Sequence, residues 1–89
     1  MNDNVDVKRE EDLKKLQELY ANKELVTDSI KREAQEIKGI SGQYFRNIVK
    51  GVHSSKKTVS HELILECLNA LKQAIENDTK RREEFIKEL

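Results

Sequence analysis

The sequence predicts an all-α fold, a small bundle of four to five helices, on three observations. Proline is absent and only three glycines occur in 89 residues, so long stretches carry no helix breaker. Charged residues make up 38% of the chain and aromatics only 4%, with Leu, Ile, Lys and Glu prominent, a helix-forming composition. Apolar residues recur at intervals of three and four through most of the length. The apolar share of 36% supports one small core, hence a single domain, and pairing with a second copy would add to the limited surface such a domain buries.

The start, MNDNVD, is polar, and residues 1–6 are expected as a disordered N-terminus before a single helical domain over 7–89. A first helix begins at about Val7, with Leu13, Leu16 and Tyr20 at i, i+3 and i+7 and Leu19 on the same side. Lys23 occupies the next seam position, so this stripe reads as a core face rather than a coiled-coil seam. The pattern weakens at Ala21-Asn22-Lys23, and Leu25-Val26 lead into Thr27-Asp28, either of which can cap the next helix. That helix runs to about Lys38 with Ile30, Ala34 and Ile37 as its stripe, and Gly39 ends it. Ser41 is the expected cap of a third helix over about 42–50. Ile40 and Phe45 around that cap have the spacing of a hydrophobic staple, and Gly51 closes the helix. A polar, basic loop, VHSSKKT, follows without helical period. Thr58 or Ser60 then starts the C-terminal helical region, about 60–88, with Ile64, Leu68, Leu71 and Ile75 as its stripe. Asn77-Asp78-Thr79 either break it, starting a fifth helix, or are carried within one continuous helix. Phe85, Ile86 and Leu89 are expected to fold back on the core; pairing with a second subunit is the alternative.

Several function classes fall away. No apolar run approaches the roughly 18 residues a membrane span requires, so no membrane partner is expected. The polar, acidic start does not resemble a signal peptide, and one cysteine, Cys67, forms no internal disulfide, so the expected compartment is the cytoplasm. Cys67, His53 and His61 are the only soft metal ligands and lack metal-binding spacing; no metal or cofactor is expected. Cys67 reads as a small buried hydrophobe, His53 as solvent-facing and His61 as without a special role. No nucleophile–base arrangement and no glycine-rich phosphate loop is evident, so neither an enzyme nor a small-molecule substrate is expected.

The formal net charge is zero, but it is unevenly distributed. Residues 1–27 and 62–89 each carry five basic and seven acidic groups, whereas residues 28–61 carry seven basic and three acidic, a local charge of +4. No Asp or Glu occurs between Glu36 and Glu62. A concentration of positive charge points to the kind of partner, not to the fold.

At the centre of that zone stands GISGQYFRNIVKG, residues 39–51. On a wheel of 100° per residue, Phe45, Ile48 and Val49 form one side and Gln43, Arg46, Asn47 and Lys50 the opposite side. Gly42 lies beside the apolar group and Tyr44 at the edge. Gln and Asn can bond bidentately to adenine and Arg to guanine, while Lys50, Lys56, Lys57 and the helix start at Ser41 suit phosphates.

These residues resemble the helix-turn-helix of phage-repressor-like DNA-binding domains, of the lambda repressor and Cro type. In that family a turn glycine is followed at six residues by an apolar position and three later by another, and a glycine frequently closes the recognition helix; here Gly39, Phe45, Ile48 and Gly51 stand at those intervals. The resemblance covers roughly residues 27–75 and implies a helix-turn-helix over about 28–50. It implies DNA contacts from Ser41, Gly42, Gln43, Arg46 and Asn47, with Tyr44 near the backbone, and later helices that serve dimerisation. The sequence departs from the family where an alanine usually stands four residues before the turn glycine. Gln35 is there, with Ala34 one place earlier, which implies a longer turn or a shifted helix crossing. The function expected is sequence-specific binding of double-stranded DNA by a regulator of phage or mobile-element type, with a homodimer fitting a palindromic site. A helical protein-interaction module without DNA binding is the alternative, and RNA binding through the basic loop a third.

Overall fold

The structure, a computed structural model, describes residues 3–52 and 58–89. Four helices account for nearly all of them: α1 (Asp3–Ala21), α2 (Asp28–Lys38), α3 (Gly42–Lys50) and α4 (His61–Glu88). The all-α expectation therefore holds at the lower end of four to five helices. Among the described residues the only strand-like pairing is an isolated antiparallel bridge between Val52 and Thr58. No helix among them is long and apolar enough to cross a membrane.

Local chemistry explains most boundaries. Asn22 ends α1 by turning its side-chain oxygen back on the amides of Glu24 and Leu25, at 3.1 and 3.2 Å. Thr27, rather than Asp28, caps α2 through the Ile30 amide, and Ser60, rather than Thr58, caps α4 through the Leu63 amide. α1 starts at Asp3, four residues before the expected Val7: polarity alone does not stop a helix, and no proline or glycine stands in the way.

α4 is the element against which the other three pack. Leu13 and Leu16 of α1, Ile30 and Ala34 of α2, and Phe45 and Ile48 of α3 meet Ile64, Cys67, Leu68, Leu71 and Ala74 of α4 in one buried cluster. Val26 and Val59 close it from the two connections. Each fully buried Leu, Ile or Phe contributes about 1.5–3 kcal/mol through burial. Ile37, expected in the α2 stripe, is exposed, because at that level the link to α4 is the Lys38–Glu66 ion pair at 2.8 Å.

The long helix is continuous through Asn77-Asp78-Thr79. Such residues break helices when their side chains compete for the backbone, but here each is bonded in a way the helix permits. Asn77 accepts from Gln73 and donates to Glu33, Asp78 pairs with Arg82, and the Thr79 hydroxyl donates to the Ile75 carbonyl. An unbroken helix carries Phe85, Ile86 and Leu89 away from the core instead of back onto it. They are 63%, 67% and 90% exposed, contrary to the expected folding back.

Candidate nucleic-acid interface

α3 is held from both ends and from beneath. Gly39 adopts the left-handed conformation (φ 75°) and its amide, with that of Ile40, bonds to the Gln35 carbonyl at 2.8 and 3.2 Å. Three residues, Gly39–Ser41, then separate α2 from α3, and the Ser41 hydroxyl accepts from the Tyr44 amide at 3.1 Å. At the far end Gly51 is also left-handed (φ 85°), its amide bonding to the Asn47 and Ile48 carbonyls. Gln17 of α1 donates to the Val49 carbonyl at 3.0 Å, satisfying one of the acceptors a helix end leaves open. Beneath, Phe45 and Ile48 are fully buried, while Val49, expected with them, is half-buried. Tyr20 stacks on Phe45 with ring centroids 5.8 Å apart, and the Lys31 ammonium lies 4.4 Å from the Tyr20 ring centre.

The opposite face is the polar one. Gln43, Arg46 and Lys50 are exposed, Asn47 is half-buried at its edge, and Tyr44 is 39% exposed. Arg46 donates to the Gln43 side-chain oxygen at 3.1 Å, and Gln43 donates to the Asn47 oxygen at 3.1 Å. The three side chains expected to read bases thus form one hydrogen-bonded row, in which Arg46 and the amides retain further donor and acceptor positions. No carboxylate lies on α3, and among the described residues no ion pair includes Arg46 or Lys50. Lys38, by contrast, is committed inward: its bond to Glu66 raises its pKa and neutralises its charge locally.

Gln35 stands one turn before the three-residue connection Gly39–Ser41. Its side-chain amide lies over Gly42, where a Cβ would stand 3.2 Å from it and 3.4 Å from the Arg46 guanidinium. Ala34 points into the core and is fully buried.

Two tethers were invisible in the sequence because they join residues far apart in it. Arg9 of α1 donates to the Val59 carbonyl at 2.8 Å and the Gly51 carbonyl at 3.2 Å, and the Val59 amide also bonds to the Gly51 carbonyl. With the Val52–Thr58 bridge, this closes the base of the basic loop beside the end of α3. Lys56, Lys57 and His53 lie outside the described residues. His61, expected to have no special role, bonds to Asp12 at 2.7 Å and ties the first turn of α4 to α1. That bond, against the opposing pull of burial and with help from Lys15, holds the Asp12 carboxyl below its ordinary value.

Cys67 is fully buried, and burial pushes its thiol up to about 11, as befits a small core hydrophobe. Among the described residues no group of three or more His, Cys, Asp or Glu is placed to hold a metal ion. What α3 offers is a row of amide and guanidinium groups beside a lysine, suited to hydrogen bonding with bases and phosphates. Comparison with protein-family models, with curated proteins and with solved structures yields no match.

Proposed function

We propose that this chain binds double-stranded DNA in a sequence-specific manner, with α2, the turn and α3 acting as a helix-turn-helix and α3 as its recognition helix. Gln43, Arg46 and Asn47 read base edges in the major groove. Ser41, Tyr44 and Lys50 hold backbone phosphates, joined by Lys56 and Lys57 of the basic loop. Regulation of transcription follows by occupancy of the site, in the manner of a regulator of phage or mobile-element type. The observation that supports this reading best is the exposed face of α3: a hydrogen-bonded Arg46–Gln43–Asn47 row on a helix that carries no carboxylate. A row already ordered by its own hydrogen bonds loses less freedom on binding than three independent side chains would.

The test is binding to selected and unrelated duplexes across a salt series. Three lysine–phosphate contacts per chain predict a slope of log affinity on log salt of about −3, so raising salt fourfold weakens binding by about 40-fold. Replacing Lys56 and Lys57 by Ala should bring the slope near −1 and weaken all sequences alike. Gln43→Ala and Asn47→Ala should instead cost about 1–3 kcal/mol of discrimination between the preferred and unrelated duplexes. Absence of duplex binding in low salt, or equal effects of both pairs, would sink this assignment. Preference for single-stranded or duplex RNA would redirect it.

A further inference from the structure

Residue 35 carries an amide that the fold leaves unbonded. Gln35 is half-buried, and among the described residues its side chain has no hydrogen-bond partner. Its neighbours are Gly42 and Arg46 of α3. The amide oxygen and nitrogen both stand 3.2 Å from the point that a Cβ on Gly42 would occupy, and the Arg46 Nη1 stands 3.4 Å from that same point. The Gln35 amide and the Arg46 guanidinium therefore share one small gap, which a side chain at residue 42 would crowd.

The other terminal nitrogen of Arg46 is already held. Its Nη2 donates to the Gln43 side-chain oxygen at 3.1 Å. A guanidinium only donates, so of the two ends of the Gln35 amide the oxygen is the one that suits it. Both ends stand equally near the gap, and the last torsion of a glutamine is broad, so a turn about that bond brings the oxygen to Arg46 without moving either helix.

We infer that Gln35 is a positioning residue for Arg46: its oxygen accepts from Nη1 while the Gln43 oxygen accepts from Nη2, and the guanidinium, held from both sides, is aimed at a guanine. Each terminal nitrogen has two N–H groups, so one on each remains for the O6 and N7 of that base. A long, flexible side chain aimed beforehand loses less freedom on meeting its base. The inference rests on the reading of α3 as a recognition helix and names the residue of α2 that enforces its preference at one base pair. An alanine at residue 35 offers no such acceptor.

The test has one arm without nucleic acid and one with it. In the free full chain, NMR reads how fast the Arg46 guanidinium rotates about its Nε–Cζ bond, with Arg82, bonded to Asp78 near the end of α4, as the reference. Gln35→Ala and Gln35→Met both lack the oxygen, and the second keeps the volume. Each should speed Arg46 about two- to tenfold, the worth of one hydrogen bond, and leave Arg82 unchanged. Gln35→Glu keeps an acceptor and should keep Arg46 slow. On duplexes, Arg46→Ala identifies the guanine that Arg46 reads by erasing the preference there. Gln35→Ala and Gln35→Met should lower that preference about two- to tenfold and add nothing once Arg46 is alanine. Gln35→Glu should keep the preference while weakening all duplexes alike. An Arg46 rotation that ignores Gln35→Ala and Gln35→Met overturns the bond, whether or not the chain binds DNA. Faster rotation with an unchanged guanine preference overturns the positioning role. A wild-type chain that binds no duplex overturns the DNA reading and this role with it, while the rotation arm still decides the bond.

Discussion

Replacing Gly51 by alanine adds one methyl group at the junction of α3 and the basic loop, and the structure separates its cost into two parts. Gly51 sits at φ 85°, where an L-residue with a Cβ is strained by about 1–2 kcal/mol. The added Cβ would also lie 2.8 Å from the Leu13 Cδ2, well inside the roughly 3.5–4.0 Å at which carbon atoms pack favourably. Leu13 belongs to the core and is 8% exposed, so it yields only by disturbing its neighbours; overpacking of this kind costs about 1–3 kcal/mol. The sum is about 2–5 kcal/mol, a large part of the roughly 5–15 kcal/mol by which domains are stable. Gly39 provides the control. Its φ is 75°, but no heavy atom lies within 4 Å of its would-be Cβ, so Gly39→Ala should cost only the strain, about 1–2 kcal/mol. Urea unfolding followed by circular dichroism measures both, with the midpoint shift read as stability when the slope is unchanged. Leu13→Ala, combined with Gly51→Ala, should cost about 1–3 kcal/mol less than the two single changes added together, because the new methyl enters the space the leucine vacates. If Gly51→Ala costs no more than Gly39→Ala, or if the double variant is additive, the packing assigned to Gly51 is wrong.

Arg9→Ala removes the charged donor shared by the Gly51 and Val59 carbonyls and should lower stability by about 1–3 kcal/mol, with amide exchange at Val59 accelerated more than at Leu16. An unchanged Val59 exchange rate would show that the loop base closes without it. Asp12 makes stability fall in acid: its folded pKa is depressed, so the unfolded chain takes up the proton first as pH drops. Its contribution is therefore complete above the ordinary carboxyl value of about 3.9 and drains away as pH falls through the lower folded value. The stability difference between wild type and Asp12→Asn should narrow below about pH 4 in urea titrations, and a difference that widens there would contradict the His61–Asp12 bond.

Much of the fold is legible because helix boundaries obey short-range rules. Ser41 and Ser60 cap through amides three residues on, Gly39 and Gly51 take the left-handed conformation that ends a helix, and Phe45 and Ile48 share a face whatever surrounds them. What stays illegible depends on partners distant in the chain. Nothing around Arg9 announces carbonyls 42 and 50 residues away, and nothing around His61 announces Asp12. The C-terminal apolar cluster fails for a related reason. Its composition says that it prefers burial, but whether it reaches the core turns on Asn77, Asp78 and Thr79, and these favour a continuous helix once Gln73, Glu33, Arg82 and Ile75 partner them.

At the candidate interface the same distinction decides how residue 35 is understood. A pattern read one position at a time treats Gln35 as too large where an alanine is usual, and the expected consequence is a longer turn or a displaced helix. Helix contact, however, is set by the combined volume of the side chains that share it, not by either alone. Here the second position is Gly42, which contributes nothing, and the Gln35 amide occupies the space above it, beside the three-residue turn. The Arg46 guanidinium reaches the same spot from the other side. Gln35 therefore adds a further amide next to the Arg46–Gln43–Asn47 row, a neighbour that the wheel of α3 alone places nowhere near it.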